Sequence, residues 1–251
     1  MPFIILSRLL IIFFACFVFV KSEAQTDSSL SMTRRLIHSA EEFFNKNLQQ
    51  NKNIVGLSAA IIVNDSVIWS NGFGYADKFN KVPMTTNTVV NMGSITKTFT
   101  SLSVMQLQQK GLLNISDPLN SYLPAFRPKT KCIDLKNITI KSVLTHTSGI
   151  QPDIWKNSDL GSGIYTDVLD EINETYITYP PGMVGLYSNA GYNILGTLVK
   201  ALSKQDYAAY IHQNILVPLG MNQTGFAMDN LKYRSKIYLE GNEIKEYEIE
   251  I

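Results

Sequence analysis

The sequence predicts an α+β fold, an antiparallel sheet packed with a helical region, and three observations carry that prediction. An early stretch rich in β-branched and aromatic residues is split by a polar turn; a long middle region repeats apolar residues at helical spacing; alternation returns only near the end. Strands and helices therefore come in blocks, not in the βαβ alternation that builds a parallel sheet.

Taken in order, residues 30–48 place Met32, Leu36, Ala40, Phe43, Phe44 and Leu48 at helical intervals. The runs "IVGLSAAIIV" (54–63) and "VIWSNGFGYAD" (67–77) flank Asn64-Asp65-Ser66 and predict a β-hairpin. Residues 95–112 predict a helix with Phe99, Leu102, Met105 and Leu112 on one side and Gly111 near its end. A short helix begins at Asp117-Pro118 and ends at Pro124, and another covers 138–146 until "TSGI" stops it. A loop-rich region follows, with "YPPGM" (179–183) as its strongest breaker. "SNAGYNILGTLVKAL" then puts Ile194, Leu195, Leu198, Val199 and Leu202 on one helical face. Ser203 with Asp206 reads as a capping-box-like start for a helix to about 216, which Pro218 and Gly220 end. The tail "SKIYLEGNEIKEYEIEI" alternates around Gly241-Asn242, as one strand and the start of a second.

The first 24 residues are set aside from the fold. The apolar run "LLIIFFACFVFV" (9–20) is short for a bilayer span and suits a secretory signal, with Ser22 and Ala24 as small residues before a cut at Gln25. A secreted or periplasmic address follows, or attachment to a membrane if residues 1–21 remain as an anchor. The domain proper is then 25–251. Removing Arg8, Lys21 and Glu23 leaves its acidic and basic side chains balanced, with no basic stripe to attract nucleic acid. Only Cys132 remains of the two cysteines, which excludes a disulfide framework and leaves stability to a packed core.

Chemistry concentrates in "NMGSITKTFT" (91–100), the one Ser-x-x-Lys in the chain. Gly93 permits a tight turn, and Ser94 stands where a helix starts, beside free N–H groups and the positive end of the helix dipole. Three residues on, Lys97 shares that helix face and can reach the Ser94 hydroxyl to accept or relay its proton. The competing reading is a helix cap followed by a solvated lysine. Other schemes lack their parts: no Gly-x-Ser-x-Gly elbow, no phosphate loop, and no second histidine three or four residues from His38, His146 or His212. The single Tyr-x-Asn, Tyr187-Ser188-Asn189, also opens a helix. Held near a lysine, Tyr187 could act as a phenolate base towards Ser94, and Asn189 could bond both the lysine and a substrate amide. Here the competing reading is an N-cap beside a packed tyrosine.

"GSITKTFT", "LTHTSGI" (144–150), "YPPGMVGLYSNAGYNILGTLV" and "PLGMNQTGF" (218–226) together resemble the serine β-lactamase-related family, which groups class C β-lactamases, penicillin-binding DD-peptidases and related esterases. The resemblance implies the β-lactamase/transpeptidase-like fold. It also implies Ser94 as acylated nucleophile, Lys97 as its proton partner, Tyr187 as general base, Asn189 as a substrate contact and His146 as a loop-shaping residue. No metal or cofactor is implied, and the partner is a small-molecule or peptide acyl substrate. The family's third motif, a Lys-Thr-Gly or His-x-Gly strand lining the far side of the cleft, does not follow Asn189. The chain thus reads as a domain without its C-terminal strands and last helix: either a fragment of a serine hydrolase or a shortened, inactive homologue that binds without turnover.

Overall fold

The computed structural model describes residues 31–131, 133–154, 168–226, 234–239 and 242–244, so the expected signal segment and Cys132 lie outside the described residues. The chain forms two compact units, one of residues 1–88 with 238–243 and one of 89–237 with 244–251.

In the first unit, helix α1 (31–50) packs Phe44 onto the predicted hairpin. Strands β1 (Gly56–Val63) and β2 (Ser66–Asp77) pair antiparallel, from Gly56 opposite Gly74 to Val63 opposite Ser66. Asn64 (φ 48) and Asp65 (φ 60) form the turn; both take the left-handed backbone that a two-residue hairpin loop demands. Phe44 of α1 stacks on Trp69 (centroids 6.2 Å apart) and meets Phe73 at 5.4 Å, while Trp69 Nε1 donates to Glu41 at 3.1 Å. Met32, Leu36 and Phe43 are exposed, so only part of the predicted stripe is used. A short edge strand β3 (Val82–Pro83) adds to β2, with Pro83 tolerated because nothing pairs beyond it among the described residues. Gly72 is required there: a Cβ would collide with the Met84 carbonyl. At the other edge β1 pairs only with β2 among the described residues, and Ile62, Val63 and Val67 stay exposed.

The second unit is helical and holds the larger core. Helix α2 (Thr96–Gln109) follows a 3₁₀ turn (Gly93–Ile95), and α3 (Ile140–Leu144) and α4 (Leu169–Asn173) are short. Helix α5 (Asn189–Ser203) runs through the middle, and α6 (Tyr207–Ile211) continues into a π turn at His212–Leu216. Ile194, Leu195, Leu198 and Val199 are fully buried, as their spacing predicts, against Val104, Leu107, Ile140 and Val143. Leu198→Ala should therefore cost about 2–5 kcal/mol of stability, read from denaturant unfolding, because it removes a fully buried side chain and leaves a void that its neighbours close only in part.

Three expectations change. Helix α2 buries Lys97, Thr100, Ser103, Val104 and Leu107, whereas Leu102, Met105 and Leu112 face outward. Polar positions can turn inward because each is satisfied: Thr100 Oγ1 pairs with Tyr207 OH at 2.6 Å, and Ser103 Oγ donates to the Phe99 carbonyl at 2.8 Å. Burial outweighs the hydrogen bond with Thr100 and pushes the Tyr207 phenol up to about 12, which keeps Tyr207 neutral. The cap of α6 is Asp206, whose carboxylate accepts from the Ala208 and Ala209 N–H groups; Ser203 instead ends α5. Between Asp117 and Pro124 the predicted helix shrinks to a 3₁₀ turn at Leu119–Ser121. The tail forms the expected two strands, β4 (Ile237–Leu239) and β5 (Asn242–Ile244).

Candidate active site

The second unit brings Ser94, Lys97, Tyr187 and Asn189 together. Gly93 (φ 51) turns the chain into the 3₁₀ start of α2, its N–H held by Asn91 Oδ1 at 2.8 Å, and Ser94 is left exposed. One turn on, Lys97 is only 7% exposed, and its Nζ donates to Ser94 Oγ at 3.2 Å. The buried lysine belongs to the polar face of α2 rather than to solvent, so the simple cap-and-surface reading of "GSITK" does not describe it.

The other half of the site hangs on the start of α5. Ser188 is the N-cap: its Oγ accepts from Gly191 N at 2.8 Å and donates to the Gln151 carbonyl at 2.7 Å. This fixes Tyr187 just before the helix and Asn189 in its first turn. Tyr187 OH donates to Ser94 Oγ at 2.7 Å, and Lys97 Nζ donates to Asn189 Oδ1 at 2.6 Å. The two sequence motifs, 93 positions apart, thus close around one hydroxyl. Lys97 Nζ also lies 4.9 Å from the Tyr187 ring centre and 5.6 Å from that of Tyr192. Tyr192 is itself anchored, pairing with Ser101 Oγ at 3.1 Å and donating to the Leu144 carbonyl at 3.0 Å.

Burial would raise the Tyr187 phenol, yet hydrogen bonds that Lys97 and Ser94 give to the phenolate oxygen, with the Lys97 charge, hold it below its ordinary value of 10.0; the Asp153 charge works the other way. A neutral phenol donates to Ser94. Once deprotonated, the same oxygen accepts, and Ser94 becomes the donor. The arrangement can therefore take a proton from Ser94.

The "LTHTSGI" segment shapes the wall beneath Tyr187. His146 adopts φ 58 after α3, and its Nδ1 accepts the Ser188 N–H at 3.1 Å while its carbonyl accepts from Leu186 N at 2.8 Å. The ring packs at a tilt 4.6 Å from the Tyr187 ring and 5.1 Å from that of Tyr192. Gly149 (φ 77) passes so close to the Tyr179 carbonyl that any Cβ would collide with it. Burial first, and the Lys97 charge second, hold the His146 imidazole below its ordinary 6.5. The native state thus prefers the neutral ring that accepts from Ser188. The unfolded chain takes up that proton near pH 6.5 and the native chain only at lower pH. This contribution is fully present above 6.5 and is lost as pH falls towards the lowered value. His146→Asn, which tolerates the left-handed backbone and keeps a short acceptor, should flatten that part of the melting-temperature profile between pH 5 and 7, in a region set by the ordinary histidine value.

Sequence reasoning missed Asp153. Its Oδ1 accepts from Asn189 Nδ2 at 2.7 Å. The only signal was a carboxylate four residues after "TSG", in a loop with no periodicity to point it anywhere. Among the described residues, no group of three or more His, Cys, Asp or Glu side chains could hold a metal ion, and no helix is long and apolar enough to cross a membrane.

With this geometry in place, comparison with known proteins is decisive on one point: the Beta-lactamase family profile matches residues 44–232. The chain belongs to the beta-lactamase family. Among curated members, it is 34% identical over 198 residues to Protein flp of Staphylococcus aureus (strain NCTC 8325 / PS 47), covering 78% of this chain and 39% of that one. It is 32% identical over 211 residues to a putative penicillin-binding protein, PbpX, of Bacillus subtilis (strain 168), covering 81% and 51%. The chain therefore spans between about two fifths and half of the length of these relatives. Among solved structures, the octameric penicillin-binding protein homologue from Pyrococcus abyssi superimposes with a TM-score of 0.72 at 27% identity, over 83% of this chain and 50% of that one. The beta-lactamase fold read from the sequence motifs is thus the fold of this family member.

Proposed function

We propose that this beta-lactamase family chain carries the nucleophile-bearing part of a serine hydrolase acting on amide or ester carbonyls through an acyl-enzyme on Ser94. One observation carries the reading: Ser94 Oγ lies 2.7 Å from Tyr187 OH and 3.2 Å from Lys97 Nζ, at the start of a helix. In the reaction, Ser94 Oγ attacks the carbonyl carbon as its proton passes to the Tyr187 phenolate, with the Lys97 ammonium beside both. The tetrahedral intermediate collapses, the Tyr187 proton goes to the leaving amine or alcohol, and the acyl group stays on Ser94. Water, deprotonated by the same phenolate, then attacks the ester; the proton passes from Tyr187 to Ser94 Oγ as the Ser94 C–O bond breaks, and the acid is released. Asn189 Nδ2 has a second hydrogen beyond the one given to Asp153, available to a substrate carbonyl.

The substrate class the family suggests is a β-lactam, a D-Ala peptide or a small ester. The apolar run at residues 9–20 supports export to where such cell-wall substrates occur. Incubation with a fluorophosphonate and with a β-lactam, followed by intact mass and peptide mapping, tests the proposal. A single adduct on Ser94 is expected. Ligand that binds without modifying Ser94 would overturn it in favour of a non-catalytic binding role.

A further inference from the structure

Asn189 sits between two groups of opposite hydrogen-bonding character. Lys97 Nζ, which can only donate, is 2.6 Å from its Oδ1; the Asp153 carboxylate, which can only accept, is 2.7 Å from its Nδ2. An amide so bracketed has one orientation. The loop that brings Asp153 there is strapped to α5 by bonds that do not use its side chain. The Pro152 carbonyl accepts from Asn189 N (2.8 Å) and Ala190 N (3.2 Å), and the Gln151 carbonyl accepts from Ser188 Oγ (2.7 Å). The strap satisfies the first N–H groups of α5 whatever residue stands at 153.

We infer that Asp153 is a positioning residue of this site: its carboxylate anchors the Asn189 amide and, through it, the Lys97 ammonium beside Ser94. Without it, Asn189 keeps one anchor, its Nδ2 turns to solvent, and Lys97 loses the fixed acceptor that aims it. The carboxylate has a second consequence. Among the described residues, the groups that act on Tyr187 are Ser94 and Lys97 from the start of α2, the His146 ring and, by its charge from behind Asn189, Asp153. Asp153 is the one anion among them, and its charge opposes loss of the phenol proton while Lys97 favours it. One side chain thus holds the geometry and restrains the base.

The kinetic part of this inference rests on the hydrolase reading; the titration part does not. Two variants of the full native chain separate the roles. Asp153→Asn keeps an acceptor for Asn189 and removes the charge, whereas Asp153→Ala removes both. The readouts are the rate of fluorophosphonate labelling and the Tyr187 phenol titration, followed by ultraviolet difference absorbance against Tyr187→Phe, with melting temperatures to confirm folding. Asp153→Asn is expected to label within about threefold of the parent, and Asp153→Ala about tenfold or more slower. In both, Tyr187 should titrate at lower pH than in the parent. An Asp153→Ala protein that labels like the parent overturns the inference, as does a Tyr187 titration in Asp153→Asn that stays put or moves up. If the parent itself is never labelled, it is the hydrolase reading that falls, and the titration still decides whether Asp153 restrains Tyr187.

Discussion

Ser94→Ala is expected to lower acyl hydrolysis by about four to six orders of magnitude, measured as kcat/KM on a chromogenic ester, with labelling at residue 94 lost altogether. The size of the effect follows from geometry. Among the described residues no other hydroxyl is placed on both proton partners: Thr100 is committed to Tyr207 and Ser101 to Tyr192, so neither can substitute. What survives is binding and whatever polarisation the helix start gives to a bound carbonyl. The fold should be untouched. Ser94 is exposed, and the buried Lys97 keeps its bond to Asn189, so stability should change by no more than about 0.5 kcal/mol. A variant that folds normally and hydrolyses at the parental rate would remove Ser94 from the chemistry and the proposed mechanism with it.

How much of this was legible beforehand depended on distance along the chain. Ser94 and Lys97 are three apart, so helical pitch alone predicts that they meet, and they do at 3.2 Å. Tyr187 and Asn189 are 93 and 92 positions from their partners, and only the resemblance of the motifs joined them to Ser94 and Lys97. Asp153 had neither route and was missed. The hairpin and α5 were readable because local alternation and a full apolar face agree with their tertiary use. Helix α2 misled for the opposite reason. Its outward Leu102 and Met105, with Leu112 just past its end, look like a core stripe, while the face that packs carries Lys97, Thr100 and Ser103. Those polar residues are buried because they bond to Asn189, Tyr207 and the Phe99 carbonyl, two of them far away in sequence. A site built into a helix face thus inverts the pattern that ordinarily marks a core.

Tyr187→Phe is the substitution that separates the proton path from the nucleophile. It removes one oxygen from a half-exposed ring, so the packing against His146 persists and the fold should hold. The loss expected is about 10²–10⁴-fold in kcat/KM, the usual worth of a positioned general base. The pH dependence is the sharper readout. Lys97 and the Ser94 hydroxyl outweigh burial and Asp153 and hold the Tyr187 pKa below 10.0. Below that lowered value the phenol keeps its proton, donates to Ser94, and cannot take the serine's proton. As pH rises through it the phenolate forms, accepts from Ser94, and the rate climbs to a plateau on the alkaline side. In Tyr187→Phe that rising limb should vanish and leave a low, flat profile. Were the limb to survive unchanged in the phenylalanine variant, the base would have to be another group, and Lys97, the only other proton carrier bonded to Ser94 among the described residues, would take its place.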